Sequence, residues 1–270
     1  MTFQRKTADG IEYLERPGGS GPTLVLLHGI GSNAETFEVL LPHLPEGWRV
    51  VAWNAPGYGR SLPLAADWPL ALDYAEALKG LLDRLAIGEV LLAGHSLGCL
   101  MGAAFAAAHG NRVRRLLLSS PALGHGVPRG GVLSRAAQAR IDDLESLGPE
   151  AFARARAARL VFQPEKNPGL VERVRRSMAR VNAAGYRQAA HMLASGRLLD
   201  DAERLQVPTD VVVGAEDVVT PPESARRAFE ALRAPWRGTF TLLPATGHAL
   251  YQQAPAAFAD ALGALGEMAA

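Results

Sequence analysis

The sequence predicts an α/β fold built on a mostly parallel, doubly wound sheet with helices on both faces. Short, continuously apolar runs recur between turn signals, as expected of strands covered on both sides. Segments with leucine and alanine at helical spacing separate them, and strand–helix alternation with short connections favours parallel pairing. The alternation breaks once, in the middle of the chain, and then resumes.

Ile11–Glu15 is the first candidate strand, ended by the breaker cluster Pro17-Gly18-Gly19-Ser20-Gly21-Pro22. Thr23–Leu27 (TLVLL) is the first fully apolar run, and Arg49–Trp53, Glu89–Ala93 and Val113–Ser119 repeat its character. Helical patterns cover Leu70–Leu85 and Leu97–Ala108. Toward the end come a strand at Val207–Val213, a helix at Pro222–Leu232, a strand at Gly238–Leu243 and a closing helix at Pro255–Met268. From about His125 to Ser195 nothing reads as a buried strand, whereas Arg135–Leu147 and Ala151–Leu160 read as helices. The expected organisation is one core from 1–124 and 196–270, with a helical insertion at 125–195. That insertion carries eleven arginines and one lysine against six acids, a net of +6, while the whole chain is at +1.

Composition narrows the function classes. A chain of 270 residues with 48% apolar and 20% charged residues suits one large globular domain. Near-neutral net charge gives no reason to expect nucleic acid as a partner. A single cysteine, Cys99, excludes a disulfide framework or a multi-cysteine metal site. It reads as a small packing residue. The polar start MTFQRK does not read as a signal peptide, and apolar stretches stop well short of a membrane span. A cytoplasmic location is expected, with no membrane partner.

The chemistry centres on Gly94-His95-Ser96-Leu97-Gly98, which follows the apolar run EVLLA and opens the helical segment LGCLMGAAFAAA. This is G-x-S-x-G between a strand and a helix. Small residues on either side let the two elements approach closely, and the turn holds Ser96 in a strained conformation. The helix start presents the Leu97 N–H and the positive end of the dipole beside an attacked carbonyl. A serine needs a base oriented by a carboxylate. His248, in ATGH after the last strand, and Asp217 or its neighbour Glu216, after the strand before, occupy the sheet edge where ligands bind. His28-Gly29-Ile30-Gly31 follows TLVLL, and its glycines let the Ile30 N–H face the site. His28 and His95 read as loop supports, His125 and His191 as solvated or packing residues. Leu160, Val161, Phe162, Met178, Met192 and Leu193 read as packing of the insertion, some of it shared with a pocket wall.

Together HGIG at 28–31, APGYGRS at 55–61, GHSLG at 94–98, GAEDVVTPP at 214–222 and ATGH at 245–248 resemble the α/β-hydrolase superfamily in order and spacing. The resemblance implies the α/β-hydrolase fold with Ser96 as nucleophile, His248 as general base and acid, and Asp217 as its orienting carboxylate. It further implies an oxyanion hole of the Ile30 and Leu97 amides, supported by Gly29, Gly31, Gly94 and Gly98. The insertion becomes a lid. No cofactor or metal is expected, and a homodimer is compatible. Serine at position 96 speaks against the aspartate-dependent dehalogenases and epoxide hydrolases of this fold. The leading expectation is hydrolysis of a small carboxylic ester or lactone. The alternative is carbon–carbon bond hydrolysis of ring-cleavage dienoates, a group similar in APGYG and lid size. It commonly has asparagine before the nucleophile and tryptophan after the histidine, where this chain has His95 and Ala249. A third expectation, from another class, is a non-catalytic receptor of this fold that binds a small ligand. Arginines of the insertion read either as a solvated face or as partners for a substrate carboxylate.

Overall fold

A computed structural model describes residues 2–267. Eight strands form one sheet in the order β1-β2-β4-β3-β5-β6-β7-β8. They are β1 (Gln4–Ala8), β2 (Ile11–Arg16), β3 (Thr23–Leu27), β4 (Arg49–Trp53), β5 (Val90–His95), β6 (Val113–Ser119), β7 (Thr209–Gly214) and β8 (Arg237–Leu243). β2 runs antiparallel to both β1 and β4, and every other pairing is parallel. This is the expected doubly wound sheet. The expectation did not include β1, an exposed edge strand of sequence QRKTA joined to β2 by Asp9-Gly10, both at positive φ.

Alternation along the strands feeds two cores. Val25, Leu27, Val51, Trp53, Leu92, Val211 and Val213 face one, and Leu24, Leu26, Val50, Ala52, Leu91 and Val212 face the other. The first is covered by α1 (Ala71–Arg84) and α2 (Leu97–Ala108). The second is covered by a 3₁₀ segment at Ala34–His43, the short α8 (Leu250–Gln253) and the closing α9 (Pro255–Glu267). The expected last residue of that closing helix, Met268, lies outside the described residues. Helix α2 is apolar all round and buried from Leu97 to Ala106, which suits an element enclosed on every side.

Between β6 and β7 lie α3 (Arg135–Arg156), α4 (Pro168–Met178), α5 (Ala183–Ser195) and α6 (Leu198–Arg204), and no strand. The two helices expected at 135–147 and 151–160 run on as α3 across a kink at Gly148, whose φ is 74°. The last residues of the second, Ala157–Leu160, tighten to 3₁₀ geometry. α7 (Pro222–Ala231) then follows β7. Among the described residues no helix is long and apolar enough to cross a membrane.

The far half of the sheet is fastened by a buried ion pair. Arg115 on β6 meets Asp210 on β7 through Nε–Oδ2 at 2.5 Å and a second bond at 2.9 Å. Asp210 also accepts from the Thr239 amide and hydroxyl on β8. Removing one member of such a pair strands the other charge without solvent, a cost of about 3–5 kcal/mol. Arg115→Ala is expected to lose stability of about that size in urea unfolding at neutral pH. A loss under about 1 kcal/mol would mean that water relieves Asp210.

Candidate active site

The turn between β5 and α2 is tightly packed. Ser96 sits at φ 53°, ψ −113°, a left-handed conformation that costs a non-glycine residue about 1–3 kcal/mol. Hydrogen bonds hold it there: its N–H donates to the Ser119 carbonyl at 2.9 Å, and its carbonyl accepts from Cys99 N–H at 3.1 Å. A side chain on Gly94 would run into the Gly98 carbonyl, and one on Gly98 would run into the Leu27 carbonyl of β3. A Cβ on Gly29 would lie 3.0 Å from Ser96 Cβ.

Asp217 and His248 meet across the ends of β7 and β8. His248 Nδ1–H donates to Asp217 Oδ2 at 2.8 Å, with both side chains buried. Burial alone would raise the Asp217 pKa; the bond and charge of His248, with the donors of Thr220, outweigh it and hold the carboxyl at about 2. Its other oxygen, Oδ1, accepts from the Val219 amide at 2.8 Å and the Thr220 amide at 3.0 Å. Glu216, the alternative acid in the sequence, is exposed.

Thr220 was not anticipated. Its hydroxyl lies 2.9 Å from the Ser120 carbonyl, 3.0 Å from Asp217 Oδ2 and 3.2 Å from His248 Nδ1. It lies inside the GAEDVVTPP block, but no spacing rule singles it out.

Ser96 and His248 face one cavity of about 390 Å³, together with Ile30 and Leu97. No hydrogen bond joins the Ser96 hydroxyl to His248 in this structure. Bonds of this kind are commonly long in ligand-free sites and tighten with substrate. Among the described residues, neither the Ile30 nor the Leu97 N–H donates to a protein acceptor. Gly31, at φ 75°, turns the chain after Ile30, and its N–H reaches the buried Tyr58 hydroxyl at 3.4 Å.

Both supporting histidines are fixed and uncharged. His28 Nδ1 donates to the Gly29 carbonyl at 2.9 Å, and its Nε2 accepts from the Ala55 amide at 3.1 Å. His95 Nε2 donates to the His248 carbonyl at 2.9 Å. Burial pushes their pKa values down, to about 4 for His28 and about 3 for His95. Neither touches the large cavity. His191 packs flat on Trp68, with ring centres 4.2 Å apart, while the exposed His125 stands at the cavity's edge. Cys99 is buried and its thiol points to the Gly94 carbonyl at 3.1 Å, with burial pushing its pKa up.

The segment between β6 and β7 closes over this cavity through Phe152, Leu160, Met178, Tyr186 and Leu193. Three of its arginines, Arg140, Arg156 and Arg159, line the cavity as well. Its junction with the His248 loop is tight. A Cβ on Gly247 would lie 2.7 Å from the Phe162 amide. Ala249 N–H donates to the Leu160 carbonyl at 2.8 Å, and the Gln253 side chain binds both the N–H and the carbonyl of Phe162 at 3.0 Å.

The model of the alpha/beta hydrolase family matches residues 24–261. The chain belongs to that family. This α/β hydrolase is 27% identical over 257 residues to an (E)-2-((N-methylformamido)methylene)succinate hydrolase of Acinetobacter baylyi, covering 94% of this chain and 93% of the relative. It is 25% identical to a 3-oxoadipate enol-lactonase of the same organism, over 74% of this chain and 73% of that one. Among solved structures, the enol-lactonase from Burkholderia xenovorans superposes with a TM-score of 0.83 at 21% identity, over 97% and 99% of the two chains. That likeness establishes the shared fold.

The buried histidines set a pH dependence of stability. In the folded α/β hydrolase both rings stay neutral, while in the unfolded chain they take up protons as pH falls below about 6.5. The unfolded state therefore binds more protons, and stability declines from about pH 6.5 down toward the folded values of about 4 and 3. Asp217 adds its own loss only at lower pH, from about 3.9 down to about 2. Unfolding free energy measured between pH 7 and pH 4.5 is expected to fall by up to about 1.4 kcal/mol per pH unit per ring. His28→Asn should flatten the slope by about one proton, and an unchanged slope would show that His28 ionises within the fold.

Proposed function

We propose that this chain is a serine hydrolase that cleaves a small carboxylic ester or lactone through an acyl-enzyme on Ser96. The observation that carries the reading is the Asp217–His248 pair opening onto the same cavity as a strained Ser96 at a strand–helix turn. Asp217 holds the Nδ1–H tautomer of His248, leaving Nε2 free to take the Ser96 proton as its oxygen attacks the carbonyl. The unpaired amides of Ile30 and Leu97 receive the developing oxyanion, each worth about 3 kcal/mol in such a hole. His248 then protonates the leaving group, and a water activated by the same ring releases the acid.

In this reading the helical segment at 125–195 is a lid that narrows the cavity and excludes bulk water. A volume near the lower end of ligand pockets suits a small substrate. The lactonase relative lends support to a lactone as the carbonyl compound.

Fluorophosphonate labelling and p-nitrophenyl acetate turnover test the reading. Wild-type protein is expected to label at one site and turn over, and Ser96→Ala to lose both, with kcat down by about 10³-fold or more. Asp217→Asn, which leaves the imidazole in the wrong tautomer, should lower kcat by about 10⁴-fold while Ser96 stays in place. Full turnover in Ser96→Ala would sink the mechanism. Activity restricted to ring-cleavage dienoates would transfer the same residues to carbon–carbon bond hydrolysis.

A further inference from the structure

The cavity that holds Ser96 and His248 is lined by three arginines and by no aspartate or glutamate. All three come from the segment between β6 and β7, and their situations differ. Arg156 is tied at 2.6 Å to Asp143, and its guanidinium lies 4.2 Å over the Phe152 ring. Arg159 reaches the Val218 carbonyl at 3.3 Å. Arg140 is half-buried and makes neither an ion pair nor a side-chain hydrogen bond among the described residues.

Several other arginines of the segment are paired on its outer surface. Arg175 pairs with Glu150 and Glu172, Arg176 with Glu172, Arg180 with Glu35 and Arg187 with Glu145, and none of them lines the cavity. Arg135, Arg154 and Arg173 also lack an ion pair among the described residues, but they are exposed to solvent and outside the cavity. Arg140 is the half-buried arginine of the segment left without a matching acid where a ligand would sit.

A guanidinium stays charged at any relevant pH. Half-burying one at a cavity whose wall includes Phe152, Leu160 and Leu193 removes part of its hydration, and among the described residues Arg140 gains no ion pair or side-chain hydrogen bond in return. A carboxylate can restore that loss, because its two oxygens match the donor fork of arginine.

We infer that Arg140, beside Arg156 and Arg159, forms a subsite for a substrate carboxylate, so that the site takes a carboxylate-bearing ester or lactone in preference to a neutral one. The inference deepens the proposed serine-hydrolase reading and rests on it for the bond that is cleaved. Arg140 binds the anion and determines specificity; it takes no part in the bond-breaking itself.

Two measurements test it, one without turnover. In the first, mono-p-nitrophenyl adipate is compared with p-nitrophenyl hexanoate. Wild type should favour the anion in kcat/KM by about tenfold or more, with the preference shrinking as salt rises. Arg140→Gln should lower kcat/KM for the anion by about ten- to hundredfold, chiefly through KM, the loss expected for a hydrogen bond to a charged group. The neutral ester should change by less than about twofold. In the second, adipate is titrated by calorimetry into Ser96→Ala, and adding Arg140→Gln should weaken binding by about tenfold or more. Arg187→Gln, outside the cavity, should match its parent in both.

A tenfold effect confined to the anion in either measurement supports the subsite. Equal turnover of the two esters, together with adipate binding indifferent to Arg140, overturns it. The two readings fail separately. Absent fluorophosphonate labelling with adipate binding that depends on Arg140 would remove the serine mechanism and keep the anion subsite. Normal labelling with no charge preference would do the reverse.

Discussion

Everything in this molecule is arranged around the contact of three backbones at Ser96. β3, β5 and α2 approach so closely there that Gly94 and Gly98 have no room for a side chain. The close approach forces the turn, and the turn forces Ser96 into a left-handed conformation that an L-residue adopts only under compulsion. The cost is met by the packing of α2, buried along most of its length between the sheet and the segment above it. A looser helix would let the serine relax and withdraw its hydroxyl from the cavity.

From that point the supports extend outward by hydrogen bonds rather than by apolar contact. His28 joins the end of β3 to the loop after β4 through the Ala55 amide, and Asn54 carries the link on to Ala34 N–H and the buried Glu12. His95 joins the Ser96 turn to the His248 loop by donating to the His248 carbonyl. Both histidines act as neutral connectors, His28 through both ring nitrogens and His95 through Nε2, and each lies within two residues of one proposed to act in chemistry. The proposed acid–base pair is fixed in the same manner, with both carboxylate oxygens of Asp217 engaged and Thr220 closing the gap between two sheet ends.

Much of this was legible in the sequence because its causes are local. Apolar runs such as TLVLL mark strands covered on both faces, and G-x-S-x-G between a strand and a helix marks the strained turn. What the sequence did not disclose depends on distant neighbours. β1 is an exposed edge with no apolar pattern, and only the Asp9-Gly10 turn hints at its hairpin. Thr220 owes its position to the carbonyl of Ser120, which follows the end of β6 and lies at positive φ. The surplus of arginine in the middle of the chain was visible by counting. Which of the eleven reach the cavity was not, because that depends on how the helices fold over the sheet and on distant acids such as those that hold Arg175 and Arg187 on the outer surface.

The seam between the helical segment and the loop bearing His248 has a mechanical consequence. Gln253 clamps Phe162 from both sides, Ala249 is tied to Leu160, and Gly247 has surrendered its side chain to let the two loops touch. Displacing the segment that roofs the cavity would either break these bonds or drag the loop that bears the imidazole with it. The roof is thus hinged to the very ring that needs a fixed position. The end of that segment beside the imidazole serves as a fixed abutment.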